Sequence, residues 1–446
     1  MYSHKLYYYK FNEKMLVYIP SLGNIYILDN KQASDLPSFI LSKDKELFKR
    51  GEGKKKTKRV LVLTEGCNLS CLYCYEGSKK RQVKMSKSMV EEVINDLFNE
   101  ALEYGTKKVS FSLFGGEPTL CWNELQRAIE LSSELSFKYG IECIKSIVTN
   151  GLMSLDKAEY LVDNFDNIYI SFDGPKDIFM QQRVPNGGES TYEQIFKVAK
   201  YIYKNFKKLQ FKVTITKNSI NRIDEIMNFF NLEFPFTPQL YQPCMLDKKD
   251  EMYVDFGEFL DKYMSAYSKN PLYRFTYNSI FKKVPSNKFC NLSIRRVVYP
   301  NGRVLGCHRC NICDDNDLVL NNFTVGEYKE GKIFLNRDKL DNIIVNNIED
   351  CAQCFAKYHC AGGCPTTKLY KGIDIDKKID YCKAIKKYTI QYFLKEFGML
   401  DDIDCERYKN IEMQEVLDGN ICTIEEFEKY TTRKISILEV MKNGQK

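Results

Sequence analysis

The chain has 446 residues and a formal net charge of +7, from 66 Lys and Arg against 59 Asp and Glu. With 44% hydrophobic and 28% charged residues it reads as a globular protein of two or three domains with a sizeable core. No apolar stretch reaches the length of a membrane span, and no aromatic-basic motif favours nucleic-acid binding. The opening MYSHKLYYYKF lacks the apolar stretch of a secretion signal, so a reducing, cytoplasmic setting is expected. There, 17 cysteines mean metal binding or catalysis rather than disulfides. Histidine is confined to His4, His308 and His359, which argues against histidine acid–base chemistry.

Residues 1–50 read as a small β-rich unit. Tyr- and Ile-rich runs at Lys5–Phe11, Met15–Pro20 and Asn24–Leu28 are separated by turn signals, and a helix is expected near 33–49. The basic run Lys54-Lys55-Lys56-Thr57-Lys58-Arg59 is a solvated linker or a contact for an acidic peptide. From Arg59 to about Gln242, strands alternate with helices. Strands are expected at 59–63, 109–114, 144–148, 167–171, 210–215 and 238–241. Helices are expected near 88–102, 122–138, 154–164, 190–204 and 221–230. The first helix should be capped by Ser88, with Glu91 completing a capping box. Val90, Val93, Ile94, Leu97, Phe98, Ala101 and Leu102 should form its apolar face. Six such units predict an α/β fold with a parallel sheet, too few for a closed eight-stranded barrel. Residues 245–285 form a bridge, 286–385 hold most remaining cysteines, and 386–446 return to helical patterns. One of these opens with Thr423-x-x-Glu426 and runs to about Met441.

The chemistry concentrates at strand ends. Cys67, Cys71 and Cys74 stand in TEGCNLSCLYCYEG, directly after the apolar run Val60–Leu63. Three thiolates on such a loop can wrap a [4Fe–4S] cluster, which normally takes four. One iron is then left open for chemistry. A zinc site is the alternative, although zinc knots prefer CxxC pairs and no partner pair lies nearby. Leu113-Phe114-Gly115-Gly116-Glu117-Pro118 closes the second strand, where glycines let the backbone approach a ligand. Val148-Thr149-Asn150-Gly151 ends the third strand and Ser171-Phe172-Asp173-Gly174 the fourth. Arg183 follows in QQRVPNGGEST, as a surface arginine or as a partner for a carboxylate. Downstream come Cys290, Gly302 and Cys307, then Cys351, Cys354, Cys360 and Cys364 as CxxCx5CxxxC, and finally Cys382. CxxC pairs leave a zinc ribbon open here. Cys121, Cys143, Cys405 and Cys422 read as ordinary thiols.

The CxxxCxxC loop, with Tyr73 as the aromatic residue before its third cysteine, resembles the fingerprint of the radical S-adenosylmethionine (SAM) enzymes. The Cys290–Cys382 pattern resembles their SPASM extension. The resemblance implies a partial (β/α)6 barrel over 59–244 and a SPASM domain over 286–385. Residues 1–50 would be an abbreviated leader-peptide recognition element or a plain cap. It also implies S-adenosyl-L-methionine and three [4Fe–4S] clusters as cofactors. Cys67, Cys71 and Cys74 would hold the SAM-binding cluster. Tyr73, Gly115, Gly116, Glu117, Asn150, Ser171, Asp173 and Arg183 would contact the cofactor. Cys290, Cys307 and Cys364 would hold the first auxiliary cluster, and Cys351, Cys354, Cys360 and Cys382 the second. The first set is one ligand short. Cys310 or Cys313 would complete it, or an open iron would take a substrate thiolate. The implied activity is maturation of a ribosomally made, cysteine-containing peptide, with a thioether cross-link as the leading product and flavodoxin or ferredoxin as electron donor. The alternatives are an anaerobic sulfatase-maturating enzyme, which makes formylglycine, and a non-catalytic iron–sulfur or zinc-binding module.

Overall fold

The computed structural model describes residues 5–11, 14–19, 24–29, 32, 57–74, 83–185, 191–244, 251–269, 287–290, 296–309, 317–330, 332–335, 340, 342–352, 354, 356–386, 389 and 421–423. The helices expected near 33–49 and after Thr423, and Cys310 and Cys313, lie outside the described residues.

Three strands open the chain, β1 (Lys5–Phe11), β2 (Lys14–Ile19) and β3 (Asn24–Leu28), at the places their Tyr and Ile runs predict. They form an antiparallel meander, and Ile421–Thr423 pairs with β1 on its other side. Next come β4 (Thr57–Thr64), the short β5 (Leu69–Cys71), β6 (Lys108–Gly115), β7 (Glu142–Thr149) and β8 (Asn167–Ser171). The short β9 (Arg183–Pro185), β10 (Leu209–Ile215) and β11 (Gln239–Pro243) follow. The parallel strands lie in the order β4-β6-β7-β8-β10-β11, so each strand joins beside its predecessor, with helices between them. All six expected strands are present.

Alternation decides which way each strand faces. On β6, Val109, Phe111 and Leu113 are buried, whereas Ser110, Ser112 and Phe114 lie half-buried on the other face. The sheet also curls. β6 and β10 are three strand spacings apart, about 14 Å if the sheet were flat. Even so, Lys212 Nζ on β10 lies 5.9 Å from the Phe114 ring and 5.4 Å from that of Tyr169 on β8. The inner face is therefore the lumen of a partial barrel, lined by serines, aromatic rings and a lysine.

The helix Lys87–Glu103 buries Val90, Val93, Ile94, Leu97, Phe98 and Ala101 as its periodicity predicts. Its cap differs from the expectation. Ser86 is the N-cap and accepts from the Met89 amide, while the Ser88 hydroxyl bonds that of Ser86. Glu91 is drawn away from the cap by Arg127, whose Nε donates to it at 2.6 Å. Leu102 is exposed and Glu100 is buried in its place, because Glu100 has charged partners. Arg59 donates to Asp96 (2.6 Å) and Glu100 (2.9 Å), and Arg296 bonds the other Glu100 oxygen. Arg59 is thus not part of a solvated basic run; it is 1% exposed and paired through its two Nη atoms with Glu100 and Asp96.

Arg296 begins β12 (Arg296–Val298), which pairs parallel to β4 on its outer edge. β13 (Arg303–Leu305), β14 (Thr324–Lys329) and β15 (Lys332–Leu335) continue antiparallel. The cysteine-rich region therefore extends the barrel sheet into ten strands. The bridge contributes the helix Phe256–Lys269, and its Phe256 ring packs 4.2 Å from that of Tyr381. No described helix is long and apolar enough to cross a membrane.

Candidate active site

The chain leaves β4 at Thr64 and crosses the carboxyl ends of the parallel strands as the loop carrying Cys67, Cys71 and Cys74. Gly115 and Gly116 secure its start. The Gly116 amide donates to Thr64 O (2.8 Å) and the Glu117 amide to Gly66 O (2.9 Å). A Cβ on Gly116 would fall 2.2 Å from Gly66 O, and one on Gly115 2.3 Å from Thr64 O. The close approach expected of these glycines is thus made to the cysteine loop itself. The far side of the loop is zipped to β9: β5 pairs antiparallel with it, Cys71 opposite Arg183, and the Leu72 amide donates to Gln182 O at 2.9 Å.

The other expected residues gather here, but several face inward. Glu117 is completely buried. Its carboxylate accepts from Thr119 N and Oγ1, Thr149 Oγ1 and the Asn150 amide, at 2.7–3.1 Å. Burial pushes its pKa up while these bonds pull it back. It ties the end of β6 to the end of β7 rather than facing a ligand. Asn150 Nδ2 donates to Asn68 Oδ1 (2.8 Å) and toward Cys67 Sγ (3.6 Å). Asp173, also completely enclosed, accepts from Tyr73 OH (2.7 Å), Arg183 Nε (2.8 Å) and Nη2 (3.3 Å), and the Thr214 amide (2.9 Å). Arg183 is not a surface arginine; it is 4% exposed and its carboxylate partner is Asp173 of its own chain. Its Nη1 points to Cys71 Sγ at 3.9 Å. Ser171 sits half-buried at the carboxyl end of β8.

Burial pushes the Cys71 thiol up to about 11; Arg183 opposes the shift, and Cys74, Asp173 and Cys67 add to it. Desolvation likewise holds the Tyr73 phenol well above its usual range, so it stays a donor to Asp173. Three thiols that repel one another as anions, with hydrogen-bond donors aimed at two of them, fit a cationic iron–sulfur group. Among the described residues no cluster of Cys, His, Asp or Glu could hold a single metal ion, and a cubane spreads its thiolates over separate irons.

The downstream cysteines form a second gathering. Cys351, Cys354, Cys360 and Cys382 are close enough for their charges to act on one another. Burial, then the neighbouring thiols, push Cys382 up to about 12. Cys307 lies beside the segment after Cys364, since Thr366 Oγ1 is 3.3 Å from its sulfur. Cys290 is half-buried. Two residues passed over in the sequence belong here. His308 sets its ring edge-on to Phe114 at 5.2 Å, which brings the Cys307 segment to the barrel mouth. Lys368, 1% exposed, stands among Cys351, Cys360, Cys382 and Cys364, and its Nζ donates to Ile375 O at 3.0 Å. Adjacency to Cys307 was the only signal for His308. Lys368 had none beyond its place one turn after Cys364.

Residues 61–230 match the family model of the Radical SAM superfamily. The chain carries a radical SAM domain. It is 28% identical over 202 residues to a cysteine-type anaerobic sulfatase-maturating enzyme of Clostridium perfringens, covering 44% of this chain and 52% of that one. It is 25% identical over 229 residues to the radical SAM cyclopropyl synthase TigE of Paramaledivibacter caminithermalis, covering 46% and 45%. The chain thus spans about half the length of these curated relatives. Its fold is similar to that of native anSMEcpe with bound AdoMet, with a TM-score of 0.62 at 21% identity, over 77% of this chain and 98% of that one. The radical SAM domain coincides with the parallel strands β4 to β10, and the cysteine loop lies within it.

Proposed function

We propose that this radical SAM enzyme is a peptide maturase in which Cys67, Cys71 and Cys74 hold a [4Fe–4S] cluster at the mouth of the barrel. The observation that carries the reading is the three-thiol loop locked by Gly115, Gly116 and β9 across the carboxyl ends of a parallel partial barrel, where such folds build their sites. When bound, the cluster and S-adenosylmethionine supply a 5′-deoxyadenosyl radical, given one electron from a donor such as flavodoxin or ferredoxin. The chain's own work is to hold and shield. Asn150 and Arg183 brace two of the thiols. Glu117 and Asp173 are positioning residues that fix those braces. Gly115 and Gly116, with Ser171 at the end of β8, are assigned to receive the cofactor. The half-exposed lumen with Lys212 and Tyr169 admits the substrate side chain.

The substrate of this reading is a ribosomally made, cysteine-containing peptide, and the product a sulfur-to-carbon thioether. Forming that bond removes two electrons and two protons from the peptide. One hydrogen atom leaves as 5′-deoxyadenosine. The thiol proton passes to solvent, and the remaining electron needs an acceptor, which clusters held by the auxiliary cysteine sets would supply: Cys351, Cys354, Cys360 and Cys382 in one, Cys290, Cys307 and Cys364, with or without Cys310 or Cys313, in the other. Residues 286–385 would then be a SPASM domain, and the N-terminal meander a site for the leader peptide by strand addition.

The similarity to a sulfatase-maturating enzyme supports a second reading, oxidation of a cysteine or serine to formylglycine. Product analysis separates the two. A synthetic copy of a cysteine-containing peptide encoded beside this gene is incubated with the anaerobically reconstituted enzyme, S-adenosylmethionine and a reductant. A product lighter by two hydrogens that resists thiol alkylation supports the thioether. An aldehyde trapped by a hydrazine supports formylglycine. Unaltered peptide with no 5′-deoxyadenosine would leave only a binding module.

A further inference from the structure

Arg183 is held more tightly than a ligand-seeking arginine needs to be. Its Nε and Nη2 are taken by Asp173, which is itself anchored by the β10 amide of Thr214 and by Tyr73 OH. Its guanidinium carbon lies 5.5 Å from the Tyr73 ring centre and 5.7 Å from that of Phe179. The backbone register puts Arg183 directly across from Cys71. What remains is Nη1, 3.9 Å from the Cys71 sulfur. A comparable contact to a loop thiol from another strand end is the neutral amide of Asn150, 3.6 Å from Cys67 Sγ. One thiolate thus receives a neutral donor and another a permanent cation.

We infer that Arg183 is a positioning residue that sets the reduction potential of the group held by Cys67, Cys71 and Cys74, by donating a fixed positive charge to the Cys71 sulfur. The inference rests on the assignment of those cysteines as cluster ligands. Its physical basis is that cluster potentials follow local charge, hydrogen bonds to sulfur and solvent exposure. A cation in a poorly solvated site favours the more negative, reduced state. Asp173 has the opposite sign but stands behind the guanidinium, holding Nε and Nη2 while Nη1 faces Cys71. The pair should therefore respond in opposite directions when either member is neutralised.

The test is a redox titration of the full, anaerobically reconstituted protein without S-adenosylmethionine, followed by electron paramagnetic resonance. The loop signal is identified as the one missing from the Cys67→Ala/Cys71→Ala/Cys74→Ala variant. Arg183→Gln is expected to move that signal to lower potential and Asp173→Asn to higher potential. Arg183→Lys, which keeps the charge, should stay near wild type. A merely structural role would lower iron content in all three while leaving the potential of the remaining clusters unchanged, and that result would overturn the inference. If Arg183→Gln loads poorly, Asp173→Asn decides alone: an upward shift supports the inference, and an unchanged or lower potential contradicts it. A wild-type protein with no loop signal would instead remove the cluster assignment, and this inference with it.

Discussion

The two gatherings of cysteine are held in different ways. At the barrel mouth, three half-buried thiols are set by a loop eight residues long from Cys67 to Cys74. Polar groups from other strand ends reach in to two of them: Asn150 to Cys67 and Arg183 to Cys71. In the downstream region, Cys351, Cys354, Cys360 and Cys382 act chiefly on one another, with a lysine ammonium among them. Burial pushes the Cys351, Cys360 and Cys382 thiols up, Cys360 strongly. A three-thiol site with preset donors suits a cluster that must accept an exchangeable ligand. A four-thiol site with all its ligands internal suits electron storage. The difference lies in how many strand ends converge on the sulfur atoms.

The strongest way to break the comparison is to part the two regions. Glu100 bridges Arg59 of β4 and Arg296 of β12. Glu100→Ala leaves two buried guanidinium groups without that carboxylate and should cost about 3–5 kcal/mol, measured by chemical denaturation. Burial alone would raise the Glu100 pKa, but Arg59 and Arg296 hold it below the usual range. Its contribution is therefore complete above roughly pH 4 and is lost as pH falls through the depressed folded value. The stability gap between wild type and Glu100→Gln should narrow on acidification; a gap that widens would refute the assignment.

A smaller effect separates the sites chemically. Gly116→Ala forces a Cβ against Gly66 O, an overpacking worth about 1–3 kcal/mol. It should strip the loop cluster, about a third of some twelve irons, and spare the downstream set. Full iron loading would show that the loop tolerates the shift. Lys368→Met sharpens the other side. It should leave cofactor cleavage within about twofold but cut the yield of modified peptide several-fold, because the ammonium that eases electron uptake is gone. Equal loss of both would place Lys368 in folding instead. The smallest effect is expected from removing residues 1–50. Peptide processing should weaken more than uncoupled cleavage of S-adenosylmethionine, since strand addition supplies affinity and not chemistry. Equal weakening would make the meander a structural cap.

Much of this was legible in the sequence for definite reasons. The six strands and the helices between them follow from period-2 and period-3.6 patterns with punctuation at GGEP, VTNG and SFDG. The cysteine spacings singled out both gatherings. The errors arose where tertiary partners override local pattern. Ser86 rather than Ser88 caps the first helix because the helix starts earlier, and Arg127 claims Glu91. Glu100 replaces Leu102 on the buried face because two arginines meet it. Arg59 looked like one charge in a basic run and is sealed in the core by Asp96 and Glu100. Glu117, Asp173 and Arg183 were singled out in the sequence, but their inward hydrogen bonds depend on chain segments 32, 41 and 112 residues away. Local sequence carries no trace of contacts at such separations. His308 and Lys368 were missed for the same reason.

The central claim is that Cys67, Cys71 and Cys74 hold the cluster that works with S-adenosylmethionine. The most direct measurement is 5′-deoxyadenosine formation by the reduced wild-type protein and by Cys67→Ala/Cys71→Ala/Cys74→Ala, with iron counted in each. The account predicts steady formation by wild type and none by the variant, which should keep about eight of some twelve irons. Continued 5′-deoxyadenosine formation by the variant would contradict it.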